Sequence, residues 1–254
     1  EAALGMSYAG KRALVCMKHV GMNVCADAFV NSAITGVQGG LIVLAADDPS
    51  MHSSQNEQDS RFYGKFALIP IFEPSNQQEA YDMVASAFEL SETLKVPVLL
   101  RIVTRLAHSR AAVEVGEPQA ENALNPSTDQ WVLLPGIARK KYVDLLGKQE
   151  AFQKASETSA YNKKEVSNTP NGLPIMGEMS EGQRGSSLGI IACGIAYNYV
   201  KENVGDNADI LKISQYPLSS NVIKAFAAEH DALLVVEDGQ PVVEEAVAGI
   251  NQIA

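Results

Sequence analysis

The chain has 254 residues, of which 46% are hydrophobic and 20% charged, enough for one or two globular domains with a buried core. Thirty acidic against twenty basic residues give a formal net charge of −10. This charge argues against binding to nucleic acid or to an anionic membrane surface. The sequence shows no apolar run of about 18 residues that could span a bilayer and no signal peptide. We therefore expect a cytoplasmic protein.

Apolar strands alternate with helical segments over residues 1–115. We predict helices over residues 2–11, 24–35 and 76–94, and strands over 13–17, 41–46, 67–72 and 97–102. Residues 75–78 (SNQQ) fit a capping box in which Ser75 is the N-cap of the third helix. Strands that are apolar throughout predict a parallel sheet covered on both faces. Residues 1–115 are thus predicted to be an open α/β domain that lacks its beginning.

The pattern changes over residues 116–187, where prolines punctuate a polar stretch. We expect a connector with one helix at about 138–155 and an exposed, disordered part at 161–187. A second, smaller α/β domain is predicted over 188–254. Its three strands and three helices are expected at 188–193, 195–203, 210–213, 220–229, 232–237 and from 241 onward. Because the last helix has no cap and the first residue is not Met, we expect both ends to be cut.

The sequence contains no recognisable cysteine or nucleotide-binding motif. Cys16, Cys25 and Cys193 match no metal or redox spacing, and we interpret them as small buried hydrophobic side chains in a reducing compartment. With no CxxC motif, this part of the chain is expected to hold no iron–sulfur cluster. GxGxxG, Walker A and GxSxG motifs are absent, as is the magnesium–diphosphate signature of thiamine enzymes.

Ligands of open parallel sheets bind beyond the carboxyl ends of the strands. The predicted loops there are residues 18–23, 47–59 and 104–110, and they contain three of the four histidines. We expect these loops to converge on one edge of the sheet.

Several side chains in these loops have both a chemical and a structural interpretation. His19 and His52 could donate hydrogen bonds or carry protons, or could cap helices or be solvated. Lys18, Arg101 and Arg105 could receive a carboxylate, or could form surface salt bridges. Asp47 and Asp48 with His52 could suggest a metal, but DDPS is equally a turn and N-cap sequence, and we predict no metal site. His230, at a helix end, is assigned no function.

Two segments, one after the other along the chain, resemble those of a known family: KHVGMN at 18–23 and AADDPSMHSSQNEQD at 45–59. They closely resemble the alpha subunit of indolepyruvate:ferredoxin oxidoreductase, a thiamine-diphosphate enzyme of anaerobes. GMSYAG at 5–10, PVLLR at 97–101, HSR at 108–110, NYV at 198–200 and VVEDG at 235–239 match in the same order. The resemblance covers nearly the whole chain, and the segment at 45–59 is its most specific part.

The resemblance implies a pyrimidine-binding domain at 1–115 and a transketolase C-terminal-like domain at 188–254. It also implies that aryl pyruvates are oxidatively decarboxylated to acyl-CoA, with thiamine diphosphate, Mg²⁺ and 4Fe–4S clusters as cofactors of the full enzyme. The implied partners are a small (beta) subunit, ferredoxin, coenzyme A and a second alpha unit in a homodimer. The diphosphate domain and the cluster module would follow Ala254, so we expect this fragment alone to be inactive.

The resemblance also implies site residues. The glutamate that activates thiamine would lie four or five positions before Glu1, so no catalytic residue is assigned in the chain. Asp47 stands where pyruvate-specific relatives place an arginine, which fits a larger aryl substrate whose carboxylate is held elsewhere. The residues expected to contact cofactor or substrate are Lys18, His19, Asn23, Asp47, His52, Gln55 and Asn56.

Two alternative functions remain open from the sequence. The chain could belong to another 2-oxoacid:ferredoxin oxidoreductase, acting on branched-chain acids or 2-oxoglutarate. It could also be a non-catalytic assembly module that uses the sheet only to dimerise.

Overall fold

A computed structural model describes residues 1–118, 120, 131–168, 173–174 and 187–252. These residues form two five-stranded sheets. The first sheet has the spatial order β1 (Ala13–Lys18), β2 (Leu41–Asp47), β4 (Val98–Val103), β3 (Ile71–Phe72) and β9 (Gln215–Tyr216). Its first four strands are parallel, and β9 pairs antiparallel with β3. The parallel strands direct their carboxyl ends to one edge, where the predicted site lies.

The second sheet has the order β10 (Ala232–Val236), β7 (Ser187–Cys193), β8 (Asp209–Ile213) and β5 (Lys163–Glu165), and β6 (Leu173–Pro174) pairs with β7. The three predicted strands are β7, β8 and β10, which pair in parallel. Expecting only three strands in this sheet was wrong. The short strands β5 and β6 join it antiparallel from the predicted connector. The rest of the disordered part expected at 161–187 lies largely outside the described residues.

The helices flank both sheets. They are α1 (Ala2–Tyr8), α2 (His19–Thr35), α3 (Arg61–Ala67), α4 (Gln77–Leu94), α5 (Thr104–His108), α6 (Pro135–Gly147), α7 (Gln149–Glu157), α8 (Ala196–Val204), α9 (Ser220–Ala227) and α10 (Val242–Gln252). Within the described ranges, none of them has the length and apolar character needed to cross a membrane.

The helix α2 begins directly after β1, so the prediction of a loop at 18–23 was wrong. Lys18 is the N-cap of α2, and His19 is its first residue. Gly21 permits this tight start, because a Cβ at this position would lie 2.9 Å from Cβ of Met17. The polar residues expected in a loop are therefore held on the first turns of a helix.

The predicted strand at 67–72 was also too long. Its first residue, Ala67, ends α3, and Leu68 adopts the left-handed conformation with φ 59° that terminates this helix. Gly64 lets α3 pack tightly on the sheet, since a Cβ there would lie 2.5 Å from Cγ1 of Ile71. Only Ile71–Phe72 remains as strand β3.

Two helix predictions need smaller corrections. The N-cap of α4 is Asn76, one residue later than predicted; its side chain accepts a hydrogen bond from the backbone N–H of Glu79, and the Glu79 carboxylate accepts one from the backbone N–H of Ser75. The single helix expected at 138–155 is two helices, α6 and α7, with Lys148 between them. Leu145 and Phe152, one from each helix, are buried in the main hydrophobic core.

The main core contains side chains of both sheets, including Val43 and Leu99 of the first and Ile191 and Leu211 of the second. The cysteines differ in their burial: Cys193 is buried, Cys25 is half-buried and Cys16 is exposed. The interpretation of Cys16 as a buried side chain was wrong. It lies on the edge strand β1, beside the exposed Leu14 and beyond the reach of α4, which packs on β2 and β4.

Candidate site at the carboxyl edge of the first sheet

The ends of three neighbouring strands meet at one edge of the first sheet. Lys18 ends β1 opposite Ala46, and Asp47 ends β2 opposite Val103, the last residue of β4. The predicted convergence of the segments after these strands is therefore present. The segment at 47–59 lies between the other two.

Asp48 fixes the course of this central segment. Its carboxylate accepts hydrogen bonds from the backbone N–H groups of His52 (3.2 Å) and Ser53 (2.9 Å) and from the hydroxyls of Ser54 and Thr104. The bonds from Ser54, then Thr104, hold the pKa of Asp48 well below its usual range. Asp48 thus serves the turn, as the DDPS sequence suggested. Over the described ranges, no group of three or more His, Cys, Asp or Glu side chains could hold a metal ion.

His19 and Asn56 are brought together by the fold. The His19 side chain is fully buried, and its Nε2 lies 3.2 Å from Oδ1 of Asn56. Nδ1 of His19 is buried and has no hydrogen-bond partner among the described residues. Such an atom in a native protein calls for a partner outside the described set.

Four other predicted residues lie exposed around this pair. Nζ of Lys18 donates to the backbone oxygen of Ser53 at 3.3 Å and lies 3.8 Å from Oδ2 of Asp48. Asn23 accepts a hydrogen bond from the hydroxyl of Tyr63. The remaining two, His52 and Gln55, are exposed on the segment that Asp48 anchors.

Asp47 differs from these residues, because its carboxylate is buried and fully engaged. It accepts hydrogen bonds from the backbone N–H of Ser60 (2.8 Å), the Ser60 hydroxyl and Nε of Arg101 (2.6 Å). Arg101 is itself completely buried and donates to Glu73 and to the backbone oxygen of Asp238. A ligand could contact Asp47 only by displacing one of these bonds.

A second buried arginine extends the network around Arg101. Arg61 binds Asp59 through Nε and Nη2, Glu237 through Nη1 at 2.7 Å, and the backbone oxygen of Gln240 at 2.9 Å. Glu73 completes the network and accepts a hydrogen bond from the Tyr216 hydroxyl at 2.7 Å. Arg61 and Glu73 were not predicted from the sequence. The only signal was that residues 237–239 belong to the segments carrying the family resemblance.

This network joins the two sheets. The segment after β10, residues 237–240, is bound to the carboxyl edge of the first sheet by Arg61 and Arg101. Burial raises the pKa of Asp59, but the hydrogen bonds and charges of Arg61 and Arg101 outweigh it, so this pKa is lower than usual. The ion pairs offset the cost of burying these charged side chains, so the two arginines and their carboxylate partners stay charged and fixed in position.

A cleft of about 250 Å³ opens where the two sheets meet at this edge. It is lined by Pro49, Ser50, His52, Thr104, Arg105, Tyr199 and Asp238. The guanidinium carbon of Arg105 lies 5.9 Å from the centre of the Tyr199 ring. Ser50 and Met51 both have positive φ, 64° and 54°, the kind of backbone strain that clusters at ligand sites. A larger, mainly apolar cavity of about 330 Å³ lies near α3 and β9, away from these strand ends.

Comparison with known proteins relates the chain to oxidoreductase subunits. Over 98% of its length, the chain is 39% identical to the indolepyruvate oxidoreductase subunit IorA of Methanothermobacter marburgensis. It is 42% identical over 96% of its length to the same subunit of Archaeoglobus fulgidus. The chain is homologous to the IorA subunits. The predicted resemblance is confirmed.

The chain spans 39% and 38% of the lengths of these two relatives. A solved structure of 2-oxoglutarate:ferredoxin oxidoreductase from Magnetococcus marinus superposes with a TM-score of 0.67 at 13% identity. This match covers 98% of the chain and 50% of that structure, and it confirms the predicted α/β fold class. No family model matches the chain.

Proposed function

We propose that the chain is part of the alpha subunit of an enzyme that oxidatively decarboxylates aryl pyruvates, such as indolepyruvate. The 2-oxo acid loses CO2 and two electrons, the electrons pass singly to ferredoxin, and the acyl group passes to coenzyme A. The observation that carries this proposal is the homology to IorA subunits over 98% of the chain.

We propose the carboxyl edge of the first sheet as the binding surface for the aminopyrimidine of thiamine diphosphate. The polar groups present fit a polar ring: Oδ1 of Asn56 lies 3.2 Å from Nε2 of His19, and the buried Nδ1 of His19 lacks a partner among the described residues. When bound, this cofactor supplies the electron sink for loss of CO2. The surrounding residues proposed to contact cofactor or substrate are Lys18, Asn23, His52 and Gln55, whereas Asp47, whose carboxylate is bound to Ser60 and Arg101, is proposed to support the strand ends beneath them.

The residues of this edge hold the binding surface in a fixed orientation. Asp48 holds the segment that carries His52 through bonds to two backbone N–H groups and two hydroxyls. Asp47 and Arg101 keep the strand ends at a fixed spacing beneath it. A surface held in this way presents polar groups to a ligand at little entropic cost.

The remaining components are proposed for the complete enzyme. They comprise Mg²⁺, the 4Fe–4S clusters, a small (beta) subunit, and a homodimer of alpha units. We further propose that residues 1–115 form the pyrimidine-binding domain and 188–254 the transketolase C-terminal-like domain. The net charge of −10 favours ferredoxin docking on another part of the complex, because ferredoxins are acidic.

Substrate profiling of the complete native complex tests the proposal. Ferredoxin reduction should depend on coenzyme A and thiamine diphosphate, and kcat/KM should be highest for indolepyruvate. The comparison substrates are phenylpyruvate, pyruvate, a branched-chain 2-oxo acid and 2-oxoglutarate. Preference for either of the last two would favour the alternative oxidoreductases. A complex that reduces ferredoxin with none of them would favour the assembly module.

A further inference from the structure

We propose that the cleft between the two sheets binds the carboxylate of an aryl acid through Arg105, with Tyr199 as the wall for the aromatic ring. This inference rests on the proposed function and assigns the residues that select its substrate.

Arg105 is singled out by the pairing of the cations at this edge. Arg101 is completely buried and donates to Asp47, Glu73 and the backbone of Asp238. Lys18 is committed to Asp48 and the backbone of Ser53. Arg105 is exposed to the cleft and has no carboxylate partner among the described residues. Of the three candidate cations, Arg105 alone keeps its full hydrogen-bonding capacity.

A guanidinium with this freedom matches a carboxylate. Its planar N–H groups bind the two oxygens of a carboxylate in parallel, which adds direction to charge attraction. The guanidinium carbon of Arg105 lies 5.9 Å from the centre of the Tyr199 ring, within reach of a cation–π contact that helps to position Arg105. Tyr199 comes from α8 and Arg105 from α5, so the receptor exists only when the two sheets are joined.

The cleft is small and mainly polar, and two of its lining residues can cover an aromatic ring. Its volume of about 250 Å³ is smaller than an ordinary drug-sized pocket, and it suits one small ring system. Pro49 and Tyr199 offer apolar surfaces for that ring, while a small aliphatic 2-oxo acid would leave them uncovered.

The other polar groups of the cleft are compatible with an anion. The Thr104 hydroxyl is already bound to Asp48, which leaves the His52 imidazole as a further polar contact. Asp238 is the acidic residue of the wall. Burial raises the pKa of its carboxyl, and its backbone oxygen accepts a hydrogen bond from Nη2 of Arg101.

Calorimetry on the complete native complex tests this assignment, with indole-3-acetate and the neutral indole-3-ethanol as matched probes. The wild type should bind the carboxylate at least tenfold more tightly than the alcohol. Arg105→Gln should raise the Kd of the carboxylate about 10- to 100-fold and leave that of the alcohol unchanged, since a charge-assisted bond is lost. Arg105→Lys should recover part of the difference, because it keeps the charge.

Matched variants distinguish a specific role of Arg105 in carboxylate binding from a general loss of structure. Arg110→Gln, an exposed arginine of the same segment outside the cleft, should bind both probes as the wild type does. Tyr199→Leu should weaken both probes by a similar factor, whereas Tyr199→Phe should bind normally. In turnover of indolepyruvate, Arg105→Gln should raise KM far more than it lowers kcat.

Equal carboxylate binding in Arg105→Gln and the wild type would overturn the inference. If the Arg105→Gln complex still oxidises indolepyruvate, the proposed function stands but the carboxylate cleft does not. If instead carboxylate binding depends on Arg105 but no aryl pyruvate is oxidised, the proposed function is wrong and the carboxylate cleft stands.

Discussion

Nη1 of Arg61 donates a hydrogen bond of 2.7 Å to Oε2 of Glu237, a residue 176 positions away in the chain. The same carboxylate accepts the backbone N–H groups of Val243 and Glu244 at 3.1 Å, where α10 begins. Glu237 therefore ties the start of α10 to α3. This side chain is one of the links between the second sheet and the edge that forms the candidate site.

Replacing Glu237 by Gln should destabilise the protein by about 1–3 kcal/mol, because Arg61 keeps an acceptor but loses a buried opposite charge. Urea denaturation measures the change. Glu229→Gln is the matched control. It disrupts an ion pair with Lys164 whose side chains are 48% and 38% exposed, and it should cost less than about 1 kcal/mol. Equal losses in the two variants would contradict a special role for the Arg61 network.

Acidification should destabilise the fold from about pH 5 downward. The pKa of Asp59 is lowered, because bonds and charges from Arg61 and Arg101 outweigh burial. The pKa of Glu79 is lowered as well, because the hydrogen bond of Lys212 and those of Ser75 outweigh burial. Since both folded pKa values lie below the unfolded values, their stabilisation is complete above the unfolded pKa and is lost as the pH falls toward the folded values.

The urea midpoint at pH 7, 5, 4 and 3 measures this loss. Glu79→Gln removes one of the two groups, so its midpoint should fall less between pH 5 and pH 3 than that of the wild type. Parallel profiles for the two proteins would show that Glu79 does not contribute to the acid sensitivity.

Gly239 should not tolerate a side chain. Its φ is 128°, and an added Cβ would lie 2.6 Å from Oδ2 of Asp59 and 2.8 Å from Nη2 of Arg101. Gly239→Ala should therefore cost more than about 2 kcal/mol, from strain and from disruption of the network. The control is Gly205→Ala, at φ 58° and ψ −127° with nothing within 4 Å of the added Cβ, which adds backbone strain without a clash and should therefore cost less than Gly239→Ala. Thermal denaturation of both variants compares the two costs.

Thiol labelling should distinguish the three cysteines by their burial. Cys16 should react first with a maleimide, and Cys25 more slowly, because they are exposed and half-buried. Cys193 is buried, and burial raises the pKa of its thiol well above the usual value, so it should react only after unfolding. Cys16→Ser should abolish the fast phase. A fast phase that persists in that variant would place the exposed thiol elsewhere.

His52→Ala in the complete complex should lower kcat/KM for indolepyruvate by about tenfold, the typical cost of a lost polar contact. His108→Ala is the matched control, because His108 is another exposed histidine at the same edge and lies outside the cleft. Its kcat/KM should remain at the wild-type value. An unchanged kcat/KM in His52→Ala would remove His52 from the proposed contacts.

Much of the fold follows from local pattern. Continuous apolar strands such as β2 and β4 alternate with helices, so a parallel sheet and the edge at which its strands end could be predicted. Boundaries set by close packing were missed, as at Gly21, where α2 starts against β1, and at Leu68, where α3 ends. These helix boundaries depend on tertiary contacts between segments, which cannot be deduced from the pattern of apolar and polar residues.

The sequence by itself determined the α/β class, the family resemblance and the set of polar residues beyond the strand ends. It could not determine which of Lys18, Arg101 and Arg105 is available to a ligand, because pairing of a charge is decided by residues distant in the chain. Arg101 meets Asp47 from 54 positions away and the Asp238 backbone from 137. Only the tertiary structure, by burying those partners together, left Arg105 at the cleft.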